Sequence, residues 1–144
     1  MNIKNECIVG IDFGLKRVGL SICNRGMTIS VPSKTIDAKK SDKETVIAIL
    51  ESFPEKIDRF VLGLPIYLDG KESSMTLRVR EFGKILEDET QKPVHYIDEA
   101  LTSEESENFL KDLGFNRKER IPHKDSLAAQ LILNDFLLSK SPLL

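Results

Sequence analysis

From Cys7 to Phe13 the chain is almost unbroken in apolar residues, and after Gly14-Leu15-Lys16-Arg17 a second such run extends from Val18 to Cys23. Two short runs joined by a four-residue link containing glycine predict a β-hairpin. Asn24-Arg25-Gly26 favours a turn, and a third strand is expected over Met27 to Ile36. The period then changes. Ser41-Asp42-Lys43-Glu44 has the form of a capping box, and Val46, Ile49, Leu50 and Phe53 recur at helical spacing until Pro54 ends the helix. Arg59 to Gly63 reads as a strand, followed by a long connection through Leu64-Pro65 and Asp69-Gly70. Ser73 or Ser74 can cap a second helix with Met75, Val79, Phe82 and Leu86 in one stripe. Pro93 to Ile97 reads as a strand. Thr102-Ser103-Glu104-Glu105 caps a helix that stops at Gly114, and a last helix is expected from about Pro122, near its first turn, to Leu138.

The resulting order, β-β-β-α-β-α-β-α-α, predicts an α/β fold: a mixed sheet of about five strands, three antiparallel and then alternating with helices, with helices on its faces. With 144 residues and no linker, repeat or low-complexity stretch, residues 1–144 are expected to form one domain. Composition narrows the class without naming a function. The chain is 40% hydrophobic and 31% charged, with a formal net charge of −2, which is ordinary for a soluble protein and unlike a basic nucleic-acid coat. No apolar run approaches a membrane span, and Met1 to Glu6 lacks the apolar stretch of a secretory signal. Cys7 and Cys23 lack zinc spacing and fall in strand runs, so both read as reduced core residues of a cytoplasmic protein.

Three acids stand where elements end. Extended alternation puts Gly10, Asp12 and Gly14 on one face, leaving space around the Asp12 carboxylate, while Gly14 also suits a turn that needs positive φ. Asp98-Glu99 closes a strand at the place where α/β sheets usually hold ligand groups. Parity sends the two acids to opposite faces and does not choose between them. Asp125 falls in the expected first turn of the last helix, with Ala128 and Ala129 at i+3 and i+4 to allow a close approach to the sheet. Each acid alone has an ordinary explanation: a turn cap, a solvated turn, a complement to the helix dipole. Together they match the need of magnesium or manganese for carboxylate oxygens from separate elements, as in two-metal phosphodiester hydrolysis. His95 and His123 are the only histidines, and neither a P-loop nor a serine elbow is present.

Four motifs, in order, carry a family resemblance. Gly10-Ile11-Asp12-Phe13-Gly14-Leu15-Lys16-Arg17-Val18-Gly19, Val61-Leu62-Gly63-Leu64-Pro65 with Asp69-Gly70, Asp98-Glu99-Ala100-Leu101-Thr102-Ser103 and Lys124-Asp125-Ser126-Leu127-Ala128-Ala129 together resemble the YqgF (RuvX-type) family. That family comprises nucleases of pre-16S rRNA, also called Holliday-junction resolvases. The resemblance covers nearly the whole chain and implies a ribonuclease-H-like fold, a divalent-metal nuclease site and a role in ribosomal RNA maturation. It assigns catalysis and metal binding to Asp12, Glu99 and Asp125, choosing Glu99 over Asp98. Two positions depart from the family pattern: Ala100 where Arg is common, and Lys124 where an aliphatic residue is common.

Around the acids, Lys16 and Arg17 in the hairpin link and Arg117, Lys118, Arg120 and Lys124 ahead of Asp125 are candidate phosphate contacts. Arg80 and Lys84 read as a solvated helix face. The family match and this short basic track favour RNA over branched DNA as the partner, and the sequence leaves the oligomeric state open. The competing readings are a resolvase, which needs two sites in a symmetric dimer, and a non-catalytic module that docks RNA or protein. A sugar-kinase or actin-like phosphate hairpin would need a second similar domain.

Overall fold

The computed structural model describes residues 6–24, 31–67, 69–99 and 117–140, giving only the backbone for residues 6, 31–33, 117–125, 139 and 140. Five strands form one sheet: β1 (Glu6–Phe13), β2 (Arg17–Asn24), β3 (Val31–Asp37), β4 (Lys56–Leu64) and β5 (Val94–Asp98), in the order β3-β2-β1-β4-β5. β1, β2 and β3 pair antiparallel, and β4 and β5 join β1 in parallel. This is the mixed sheet expected from the pattern. β4 starts three residues earlier than expected, because Ile57 is also buried. The first part of the expected third strand and the whole helix at 102–114 lie outside the described residues.

Two helices cover one face. α1 (Asp42–Glu51) starts where the Ser41 hydroxyl accepts the Glu44 N–H at 3.2 Å. Val46 and Ile49 point inward and Phe53 is buried beyond the helix end, but Leu50 lies outside the stripe and is exposed. α2 (Ser74–Thr90) is capped by Ser73 in a reciprocal box closed by Thr76 instead of the usual Glu or Gln. The Thr76 hydroxyl also donates to the Pro65 carbonyl, tying the exit of β4 to the start of α2. Val79, Phe82 and Leu86 bury the expected stripe, and Met75 packs at its edge. Arg78 forms a bidentate pair with Asp42 (2.9 and 2.6 Å) and stacks over Phe13, joining both helices to the end of β1.

The other face is covered by α3 (Arg117–Lys140). It begins well before the expected position, so Pro122 is its sixth residue and Asp125 its ninth. The first-turn argument for either residue therefore fails. Pro122 must leave the residue-118 carbonyl without a helical donor, and Asp125 lies beyond the reach of the N-terminal dipole, which fades within a turn. The alternation of the strands divides the core. Cys7, Val9, Ile11 and Phe13 pack under α1 and α2, whereas Cys23, Val61, Ile132, Leu133 and Phe136 pack under α3 with Ile8 and Ile97. The two cysteines thus face opposite sides. Both are free, and burial raises both thiols, that of Cys7 to about 12.

Candidate active site

The face of β1 that carries Ile8 also carries Gly10 and Asp12, so Asp12 projects toward the α3 side. Its surroundings are stripped of side chains. Gly10 and Gly14 flank it along the strand, and Gly19 is its antiparallel partner on β2. Ile11 pairs with Leu62 on β4, which brings Gly63 next to Asp12 on the other side. Gly19 and Gly63 enter the sequence reading only as members of the family motifs, without a physical role at the acids. Their contribution follows from register, which a single chain does not display. Gly14 does not adopt positive φ. A Cβ there would lie 2.6 Å from the Arg17 carbonyl oxygen, so close approach is what the turn demands of it.

Parity along β5 separates the two neighbouring acids. Val94 and Tyr96 pack with the α1–α2 core, while Ile97 packs under α3 and His95 stacks against Phe136. Asp98 therefore faces away from α3 and is exposed. Glu99 turns toward α3, its N–H held by the Leu64 carbonyl at 3.1 Å. Any side chain at position 63 would put its Cβ 2.7 Å from Glu99 Oε2 and against Ile132. Only glycine leaves the carboxyl its place.

The two acids meet. The Glu99 carboxyl is pushed up to about 9, first by burial, then by the charge of Asp12 and a hydrogen bond to it. A carboxyl at that value holds a proton near neutral pH.

α3 brings the third expected residue into line. The Ser21 hydroxyl, fully buried, donates to the Ala129 carbonyl at 2.7 Å. A Cβ on Gly10 would lie 2.8 Å from that carbonyl oxygen, so the helix rests directly on β1. Phe136 meets His95 early in β5, and Ile132 meets Gly63 late in β4, so α3 runs against the direction of these parallel strands. Two residues of strand advance about 6.6 Å, and four residues of helix about 6 Å. Moving from Gly10 to Asp12 therefore moves one turn back along α3, from Ala129 to position 125. The Asp125 side chain lies outside the described residues, as do those of Arg117, Lys118, Arg120 and Lys124, and Ala100 altogether. Among the described residues no group of three His, Cys, Asp or Glu side chains could hold a metal ion. Asp12 and Glu99 supply two carboxylates.

Lys16 and Arg17 are exposed at the hairpin tip beyond Asp12. Arg17 pairs across the strands with Asp37, and the Lys16 carbonyl accepts the Ala38 N–H. On α2, Arg80 bonds Glu72 and lies over Tyr96, more engaged than a solvated face would be. No helix among the described residues is long and apolar enough to cross a membrane.

A family model described as RuvX, Holliday junction resolvase, matches residues 6–139. A protein of Maridesulfovibrio salexigens, named as a candidate pre-16S rRNA nuclease, is 36% identical over 132 residues, covering 90% of this chain and 96% of that protein. The fowlpox virus resolvase, solved with Holliday junction DNA, matches with a TM-score of 0.60 at 12% identity, over 92% of this chain and 97% of its own. RuvC of T. thermophilus, solved with a Holliday junction substrate, matches with a TM-score of 0.53 at 14% identity, over 94% and 95%. At such identities the structural likeness establishes the fold, which is ribonuclease-H-like.

Proposed function

The chain belongs to the RuvX family, and from that premise we propose that residues 1–144 form one cytoplasmic nuclease domain acting on precursor 16S rRNA, with Asp12, Glu99 and Asp125 as its catalytic acids. One observation carries the reading: the carboxyls of Asp12 on β1 and of Glu99, just past the end of β5, share a hydrogen bond among closely packed glycines. An interior usually keeps like charges apart, and such a pair is a functional-site signature.

The donor set fits magnesium or manganese, which take carboxylate oxygens and keep part of their water. Asp12 and Glu99 would hold the ion, with Asp125 joining from α3. A bound cation would polarise the phosphoryl group and lower the pKa of an attacking water. The chain's own groups do the rest. Gly10 lets Ser21 and α3 close on β1, Gly63 leaves room for the Glu99 carboxyl beside Ile132, and the Glu99 amide, tied to the Leu64 carbonyl, fixes the height of that carboxyl. Lys16 and Arg17 stand at the rim, and Arg117, Lys118, Arg120 and Lys124 on α3 would meet phosphates farther along.

The test is cleavage of a labelled 5′ fragment of precursor 16S rRNA in magnesium or manganese. Asp12→Asn, Glu99→Gln and Asp125→Asn should each lower the rate by more than the ~10–100-fold typical of losing an outer partner of a metal ligand. Full activity of Asp12→Asn would sink the assignment. A second reading, resolution of branched DNA, is favoured by the family model's own description. A four-way junction cut faster than the RNA at equal salt would put that reading first.

A further inference from the structure

The strands β1, β4 and β5 are parallel, so the turns that leave them gather at one end of the sheet, the end that holds Asp12 and Glu99. Six large apolar side chains are notably exposed among the described residues, and two lie at this end: Leu15, 66% exposed, and Tyr67, 63% exposed. They stand on the two turns flanking the end of β1, one leading to β2 and the other leaving β4. The second turn is braced. Ile66 bridges to Glu72, the Tyr67 N–H donates to the Lys71 carbonyl at 3.0 Å, and the Gly70 N–H donates to the Tyr67 carbonyl at 2.8 Å. Gly70 takes φ +83°, which only glycine adopts freely. The chain thus holds an exposed aromatic ring on a hydrogen-bonded turn at the same end of the sheet as the acidic pair.

The opposite side of that end is cationic. β3 pairs with β2 as far as Arg17–Asp37, and the Ala38 N–H then bonds the Lys16 carbonyl at 2.9 Å. This draws Lys39 and Lys40 alongside Lys16. The Lys39 N–H donates to Thr45 Oγ1 at 3.0 Å, fixing the backbone there. All three lysines are exposed, and none has a side-chain partner among the described residues. Among the nearby acids, Asp37 is exposed opposite Arg17, Asp42 is held by Arg78, and Glu44 is exposed in the first turn of α1. β3 and β1 lie two strand spacings apart, about 10 Å, so the lysines and the acids fall within reach of successive phosphates of one strand.

Resting on the nuclease reading, we infer that this end of the sheet takes an unpaired polynucleotide strand, with its phosphates on Lys16, Lys39 and Lys40 and a base stacked on Tyr67. Cationic grooves with aromatic platforms bind single strands because every free base offers a π-face. A duplex keeps its bases stacked inside and gives Tyr67 nothing to hold.

The measurement is fluorescence anisotropy of a labelled 15-nucleotide RNA, the same sequence as DNA, its RNA duplex and a four-way junction, all without divalent ions. The wild type should bind the single strands best. Tyr67→Ala should lose about tenfold on single strands and nothing on duplex, while Tyr67→Phe retains affinity. Lys39→Ala with Lys40→Ala should lower the salt slope by about 1.4, at ~0.7 per phosphate on single strands. Unchanged affinity in Tyr67→Ala, or an equal loss on duplex, overturns the inference. Rates of pre-rRNA cleavage separate the two ideas. Unaltered kcat/KM in both variants defeats the strand track and leaves the nuclease standing, whereas a wild type that binds single strands but cuts nothing defeats the nuclease alone.

Discussion

Glu99 is half-buried against another carboxyl, and its acid value follows from that place. The sign of its effect on stability is fixed by linkage. A carboxyl raised in the folded state from its ordinary value of 4.5 to about 9 favours folding below 4.5 and loses that contribution as pH climbs through 9. In chelator, the wild type should therefore lose stability between about pH 4.5 and 9 relative to Glu99→Gln. Thermal melts should show the variant higher by on the order of 5 °C at pH 8, with the gap closed near pH 4.5. A constant gap across that range would mean that Glu99 does not titrate as its burial requires. The sequence left Asp98 and Glu99 equivalent, and only the family resemblance separated them. In the fold, the packing of Tyr96 on one face and of Ile97 on the other divides them by parity.

Among the elements, α3 has the most to do with the site, because it alone covers the face bearing Asp12 among the described residues. A fully buried bond from Ser21 to the Ala129 carbonyl fixes its height on the sheet, beside the apolar contact of Ile132, Leu133 and Phe136. Ser21→Ala should cost about 1 kcal/mol of stability, a drop of a few degrees in Tm. Because position 125 is one turn from that bond, metal affinity should fall as well. Titrating manganese into the variant and following its melting temperature checks both effects. A loss of stability with unchanged metal response would leave Ser21 as a packing residue only. The strand and helix patterns of β1, β2, α1 and α2 were open to sequence reasoning, since each depends on local period and caps. The start of α3 was not. Pro122 resembles a first-turn residue, yet the helix continues through it to Arg117, so its local signal did not decide where the element began.

For the molecule as a whole, the acidic pair lies between a sheet and a helix that are far apart in sequence, so a metal bound by the pair as proposed would be coupled to folding. Manganese or magnesium should raise the Tm of the wild type in a concentration-dependent way, by RT ln(1 + [L]/Kd) in free energy, and should leave Asp12→Asn nearly unmoved. An equal shift in both proteins would place the ion elsewhere. Local sequence was enough to set the order of the elements among the described residues, the mixed sheet with helices on its faces, and the burial of two unpaired cysteines. These follow from hydrophobic period, turn residues and composition, which are local properties. Tertiary structure decided which acids meet and what surrounds them. Gly19 and Gly63 reach Asp12 only through strand register, Glu99 parts from Asp98 only through the face each neighbour buries, and Lys39 and Lys40 join Lys16 only because β3 pairs with β2. Pairing is a long-range choice made by packing the whole core at once, and a single chain carries no mark of it.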